Sequence, residues 1–229
     1  NGLLARLTGA PVVGFETRPQ GARWGEDLYH CLVPWRGDGR PQWDVNLDLA
    51  RALDCPVSEA RLVYRVDPES RDWARLWLDE HAAGGPATAG RRRVGVFIGG
   101  DPSRADRLWD AENAAEAVRA LAAHWNVVLI GAPAPEEFLV RAVADRLDGG
   151  DVPVCVPRPF GRLAGMLSSL DGLVTTDGAV LQLAAAVGCP VAGIFFGTDP
   201  AVWAPPGPGV RALRGEGGRV SPAEVVRSC

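Results

Sequence analysis

From residue 94 onward, short continuous apolar runs alternate with segments whose apolar residues recur every three or four positions. The first run is 94–98, Val-Gly-Val-Phe-Ile. An uninterrupted apolar strand is what burial on both faces of a parallel sheet requires, because a half-exposed strand would alternate instead. Ala111, Ala114, Ala115, Val118, Leu121 and Ala122 then follow a helical period. The pattern recurs as a strand at 126–130 closed by Gly131-Ala132-Pro133, and a helix at 136–147 with Phe138, Leu139, Val143 and Leu147 on its apolar side. It continues with a strand at 152–156, a helix at 163–170, a strand at 172–175, a small-residue helix at 180–187 and a strand at 191–196. Five strands separated by helices predict parallel pairing through right-handed crossovers, hence an α/β, doubly wound sheet. Ligands of such sheets bind beyond the carboxyl ends of the strands, which singles out the loops after Ile98, Ile130, Val156, Thr175 and Phe196.

The first 80 residues are less regular. They predict a helix end at 3–7, a short strand at 12–15, and helices at 44–53, with Val45, Leu47, Leu49 and Leu53 inward, and at 73–81. Five of the eight tryptophans (Trp24, Trp35, Trp43, Trp73 and Trp77) fall here, either as packing aromatics or as a ligand-stacking surface. So little strand cannot close a sheet, so the segment reads as the closing half of a domain whose opening half lies upstream of Asn1. Residues 82–93, small and flexible and ending in Arg91-Arg92-Arg93, read as a linker. The predicted organisation is therefore 1–81, a linker at 82–93, and a second domain at 94–229.

Composition narrows the chemistry. With 47% apolar and 23% charged residues in 229, the chain is globular. A formal charge of −4 excludes nucleic acid as a bulk electrostatic partner, so any phosphate site has to be local. All 24 basic residues are Arg, which removes Schiff-base and P-loop lysine mechanisms. Five scattered cysteines without a CxxC pattern fit reduced thiols of a cytoplasmic protein. The uncharged stretch 178–198 is long enough to span a membrane, but Gln182, Gly188 and Pro190 interrupt it, and a buried helix–turn–strand is expected. His30, His81 and His124 have no metal spacing, and no HExxH, GxSxG or GxGxxG occurs.

Three loops carry candidate chemistry. In Thr175-Thr176-Asp177-Gly178-Ala179-Val180, Asp177 is placed to cap a helix, ordering the loop, while Gly178 and Ala179 let a diphosphate approach amides at the positive end of the helix. The same segment also fits an ordinary helix cap. In the loop 99–109, Ser103 can donate to a phosphate oxygen, and Arg104 and Arg107 offer forked donors, or the loop is simply solvated. Glu136 and Glu137 open a helix, where they cap it or accept from a ribose diol.

These residues bring out a resemblance. The C-terminal half resembles glycosyltransferase family nine, the heptosyltransferases of GT-B fold, which carry Asp-(Ser/Thr)-Gly-x-x-His-x-x-Ala-Ala and then Phe-Gly-x-Thr-Asp-Pro-x-x-Trp. Here the two stand as 177–186 and 195–203, from Asp177 to Ala186 and from Phe195 to Trp203. The loop Ser103 to Trp109 is similar to the family's phosphate loop, and residues 4–15 with Leu28-Tyr29-His30 to the later part of its acceptor domain. The chain departs from the pattern at Gly178, Ala179, Gln182 and Arg107, which replace Ser/Thr, Gly, His and Lys. Gln182 cannot become cationic beside a leaving diphosphate.

The resemblance implies two Rossmann-like doubly wound domains of GT-B type, the first incomplete in this chain. It implies an inverting, metal-independent transfer of a sugar from a nucleotide-diphosphate donor, ADP- or GDP-linked, used as substrate with no cofactor. The acceptor is a glycan, a lipid-linked or a small natural-product hydroxyl, with at most peripheral membrane association. Ser103, Arg104, Arg107, Asp177, Gly178, Ala179 and Gln182 then surround the donor, Glu136 or Glu137 holds the ribose, and Pro157 and Pro159 wall the base. The catalytic base, an Asp in this family, is expected upstream of Asn1. The alternative is a non-catalytic homologue that binds a nucleotide sugar or serves as a scaffold.

Overall fold

The computed structural model describes residues 9, 11–16, 29–35, 39–57, 59–81, 90–100, 103–147 and 152–229. The helix end expected at 3–7, Trp24, and linker residues 82–89 lie outside the described residues. By compactness the chain divides into two units: the residues up to Ala60 with Ala201–Trp203, and residues 61–200 with 204–229.

In the first unit, β1 (Val13–Phe15) pairs in parallel with β2 (Cys31–Val33), Val13 opposite Cys31. The second strand, three residues long and only partly buried, leaves too short an apolar run to be read from sequence. The Val12 amide donates to His30 Nδ1 at 2.9 Å, and the Phe15 and Trp35 rings meet edge to face at 5.1 Å. The helix α1 (Gln42–Arg51) follows Pro41 and lies about one half-turn earlier than the expected 44–53. Arg40 and Arg51 bracket Asp44 and Asp48 in ion pairs of 2.6 to 2.9 Å. Hydrogen bonds from Arg40 first, then Arg51, hold both carboxyl groups below their ordinary range.

After α1 the chain runs α2 (Pro68–His81), β3 (Arg93–Ile98), α3 (Ala111–Ala122), β4 (Asn126–Gly131), α4 (Glu137–Ala144), β5 (Val154–Cys155), α5 (Phe160–Ser168), β6 (Gly172–Thr176), α6 (Ala179–Val187), β7 (Val191–Phe195), α7 (Pro200–Trp203), β8 (Val210–Arg214) and α8 (Pro222–Ser228), all in the second unit except Ala201–Trp203 of α7. Among the described residues the six strands form one sheet, β5-β4-β3-β6-β7-β8, and every neighbouring pair is parallel. This is the doubly wound α/β sheet that the alternating pattern predicts. Val94, Val96 and Ile98 point to a core shared with α3, α4 and α8 through Val118, Val140 and Val225. Phe97, Val128 and Leu173 point the other way, onto α2, α5 and α6 through Leu78, Leu167 and Leu181. Burial on both faces is why these strands read as continuous apolar runs.

Three elements differ from expectation. The third strand contracts from 152–156 to two residues, flanked by Pro153 and Pro157, which have no N–H to donate to a ladder. The strand β8 was hidden by Arg211 and Arg214, charges suited to an exposed sheet edge. The helix α2, expected in the first domain, belongs to the second unit. It docks because Gly165 of α5 has no side chain: a Cβ there would overlap the Ser70 carbonyl of α2. Ala74 and Leu78 then enter the core beside Leu167 and Leu170, and the Ser70 amide donates to Asp67 Oδ1 at 2.7 Å to cap the helix. The stretch 178–198 is the buried α6–turn–β7 unit, and among the described residues no helix is long and apolar enough to cross a membrane. The five cysteines are free, and burial pushes the thiols of Cys155 and Cys189 up to about 12.

Candidate functional site

The chain order runs outward from β3 through β4 to β5, then returns to the other side of β3 with β6. Loops leaving β3 and β6 therefore diverge, and a crevice opens between them. A cavity of about 450 Å³ occupies this place. Phe97, Ala132, Pro133, Pro157 and Leu163 give it apolar walls, and Arg104, Arg107, Glu136, Asp177, Gly178 and Ala179 give it polar ones.

The strand β3 ends in Gly99-Gly100. A Cβ on Gly99 would stand 2.6 Å from the Phe97 ring, and Gly100 has φ +151°, where side chains are strained. The chain then enters a single 3₁₀ turn, Ala105–Arg107. Arg107 lines the cavity, and its Nε is buried without a hydrogen-bond partner. A buried donor left unmade costs about 1–3 kcal/mol in the ligand-free protein. The exposed Arg104 lines the same cavity, with its Nε 3.6 Å from Asp106 Oδ1.

The loop is anchored from below by Asp110, Asn113 and Trp109. Asp110 caps α3, accepting from the Asn113 amide at 2.9 Å. The buried Asn113 Oδ1 accepts from Trp109 Nε1 at 3.0 Å and from the Val220 amide at 2.8 Å.

The strand β6 delivers Asp177, Gly178 and Ala179 to the cavity. Contrary to expectation, Asp177 is not the cap of α6. Gly178 holds that position, with no side-chain hydrogen bond to the helix amides. The Asp177 carboxylate turns instead to the loop after β7, where the Thr198 hydroxyl donates to its Oδ2 at 2.7 Å. The first amides of α6 thus lack a side-chain acceptor at the N-cap, at the positive end of the helix dipole. Among the described residues beyond its chain neighbours, nothing lies within 4 Å of where a Cβ on Gly178 would stand.

The two glutamates separate. Glu136 lines the cavity, whereas Glu137 is held by Arg141 at 3.1 Å and Arg158 at 3.3 Å. Of the two prolines, Pro157 lines the cavity, and Pro159 sits outside its lining as the residue before α5. Ser103 is exposed on the β3 loop and Gln182 is half-buried on α6; neither lines the cavity. Phe97, Leu163 and Thr198 were not among the predicted site residues. The rule that ligands lie at strand carboxyl ends points to Phe97, and nothing local in the sequence points to Leu163. Among the described residues no three of His, Cys, Asp and Glu converge as a metal site would require.

Over residues 41–224 the sequence matches the profile of glycosyltransferase family 9 (heptosyltransferase). A search of curated protein sequences finds no significant match. The structure is similar to a glycosyl transferase family 9 protein from Veillonella parvula, with TM-score 0.79, 17% identity, and coverage of 99% of this chain and 68% of that one. It is also similar to E. coli ADP-heptose LPS heptosyltransferase II, with TM-score 0.74, 16% identity and coverage of 99% and 71%. E. coli heptosyltransferase WaaC, solved with ADP, superimposes with TM-score 0.62 at 20% identity, covering 91% of this chain and 62% of that one. At these identities the likeness shows the GT-B fold, and the profile match shows the kinship: the chain belongs to glycosyltransferase family 9, whose chemistry is glycosyl transfer.

Proposed function

We propose that this chain carries the donor-binding half of an inverting, metal-independent glycosyltransferase that takes its sugar from a nucleotide diphosphate. The observation that carries the reading is the buried, partnerless Arg107 Nε in a cavity that also receives the uncapped amino end of α6. A diphosphate satisfies both at once. Its two negative charges would be met by Arg107, Arg104 and the amides after Gly178, in a partly desolvated setting where such contacts are strong. As the glycosidic bond breaks, charge accumulates on the departing diphosphate, and the same donors stabilise it without rearranging. Glu136 would accept from the ribose hydroxyls, and Phe97, Pro133, Pro157 and Leu163 give apolar surface for the base. WaaC, solved with ADP, supports a nucleoside diphosphate as donor, with ADP the first candidate. Deprotonation of the acceptor hydroxyl, a glycan or a smaller natural product, falls to an acidic side chain outside this cavity.

Calorimetric titration of the protein with ADP, GDP and UDP tests the reading. Saturable binding of at least one, displaced by the corresponding nucleotide sugar, is the expected result. Failure to bind any nucleoside diphosphate would overturn it.

A further inference from the structure

The contact between Thr198 and Asp177 joins two loops that the donor reading treats separately. Asp177 lines the cavity, and its carboxylate stands one residue before Gly178, whose following amides are free of any side-chain cap. An aspartate in that position is an anion within reach of the amides that a phosphate would use, since aspartate is among the strongest helix-capping side chains. In the structure it does not cap. The Thr198 hydroxyl donates to Oδ2 at 2.7 Å and draws the carboxylate toward the loop after β7.

The neighbouring residue lies against the arginine turn. Gly197 lies so close to the turn carrying Arg107 that a Cβ there would stand 2.9 Å from Asp106 Oδ2. The Gly197-Thr198 segment therefore adjoins both the arginine turn and the loop at the start of α6. It is itself tied down on its far side, where Arg214 of β8 donates to Asp199 Oδ1 at 2.8 Å.

We infer that Thr198 is a positioning residue for the diphosphate: its hydroxyl holds the Asp177 carboxylate away from the amino end of α6 and so keeps the protein's own anion from occupying the phosphate's place. The inference rests on the nucleotide-diphosphate reading above. Without the hydroxyl, the carboxylate rotates toward the amides after Gly178, and an incoming diphosphate must displace it. A nucleoside without phosphates does not compete for those amides and is unaffected.

The test is a double-mutant cycle read by calorimetry, with ADP and GDP as diphosphate probes, adenosine and guanosine as controls, and Tm measured for each variant. Thr198→Val should weaken diphosphate binding about tenfold and nucleoside binding less than twofold. Thr198→Ser, which restores the hydroxyl, should return diphosphate affinity to within twofold of the parent. In an Asp177→Ala background, Thr198→Val should change affinity less than twofold, because the competing carboxylate is gone. Unchanged diphosphate affinity in Thr198→Val overturns the inference. So does an equal loss in the Asp177→Ala background, or a loss that nucleosides share in step with a fallen Tm. A parent protein that binds none of ADP, GDP and UDP overturns the donor reading, and the inference with it.

Discussion

Trp109 and Asn113 are joined inside the protein, the indole Nε1 donating to the amide oxygen at 3.0 Å, and the same oxygen accepts from the Val220 amide at 2.8 Å. One short side chain thus ties the end of the arginine loop, the first turn of α3 and the segment before α8 together. Asn113→Ala strands two buried donors at about 1–3 kcal/mol each, so stability should fall by about 2 kcal/mol or more. Urea denaturation of parent and variant checks this, and a change within 0.5 kcal/mol, roughly what surface substitutions give, would mean that water replaces the amide without cost.

Arg107→Ala should separate binding from stability. Charge-assisted hydrogen bonds contribute about 1.5–3 kcal/mol, so nucleoside diphosphate affinity should fall at least tenfold. Folding stability should hold or rise slightly, because the substitution removes a buried donor that has no partner in the ligand-free protein. Calorimetry and thermal melting of the same sample read the two effects. Unchanged affinity would remove Arg107 from the site.

Gly165→Ala places a carbon where the Ser70 carbonyl already lies. The atom in the way belongs to the backbone of α2 and cannot swing aside, so the helices must separate. Overpacking of this kind costs about 1–3 kcal/mol. Hydrogen exchange should accelerate selectively in 68–81, whereas a uniform change across the unit would argue against local undocking.

Acid should loosen the same helix. The Ser70 amide, the largest cause, and the Ser70 hydroxyl hold the Asp67 carboxyl below its ordinary range. A carboxyl lowered in the folded state stabilises above its unfolded value, near pH 4, and that contribution disappears as pH falls through the folded value. Asp44 and Asp48 in α1 share the direction. Melting temperature should therefore decline below about pH 4 in the parent. Asp67→Asn should show a smaller decline over the same range; an identical decline would mean that Asp67 does not contribute to it.

What the sequence disclosed follows from how local each signal was. The strands β3, β4, β6 and β7 announce themselves because burial on both faces demands an apolar residue at nearly every position, and the alternation with helices then dictates parallel order. The strand β8 has a polar, solvent-facing edge and offers no such run. The position of α2 depends on Gly165 matching Ser70, residues 95 apart in sequence, which only packing brings together. At the site, the carboxyl-end rule led directly to Arg104, Arg107, Gly178 and Ala179. Asp177 looked like a cap because its sequence neighbours fit one, but a hydroxyl 21 residues further on takes its carboxylate. Glu136 and Glu137 were indistinguishable as letters, and Arg141 and Arg158 separate them.

Gly178 has φ 165° and ψ −167°, an extended conformation open to any residue, and among the described residues beyond its chain neighbours no atom lies within 4 Å of where its Cβ would be. A larger side chain there meets no described neighbour, and its cost to folding is the modest one of an aliphatic residue in place of glycine at an N-cap. A screen for folded protein should still accept Gly178→Val and Gly178→Leu at a modest loss of stability, while a screen for nucleotide capture should reject both. On the donor reading, the room beside the first amides of α6 is kept for a ligand rather than filled by the fold.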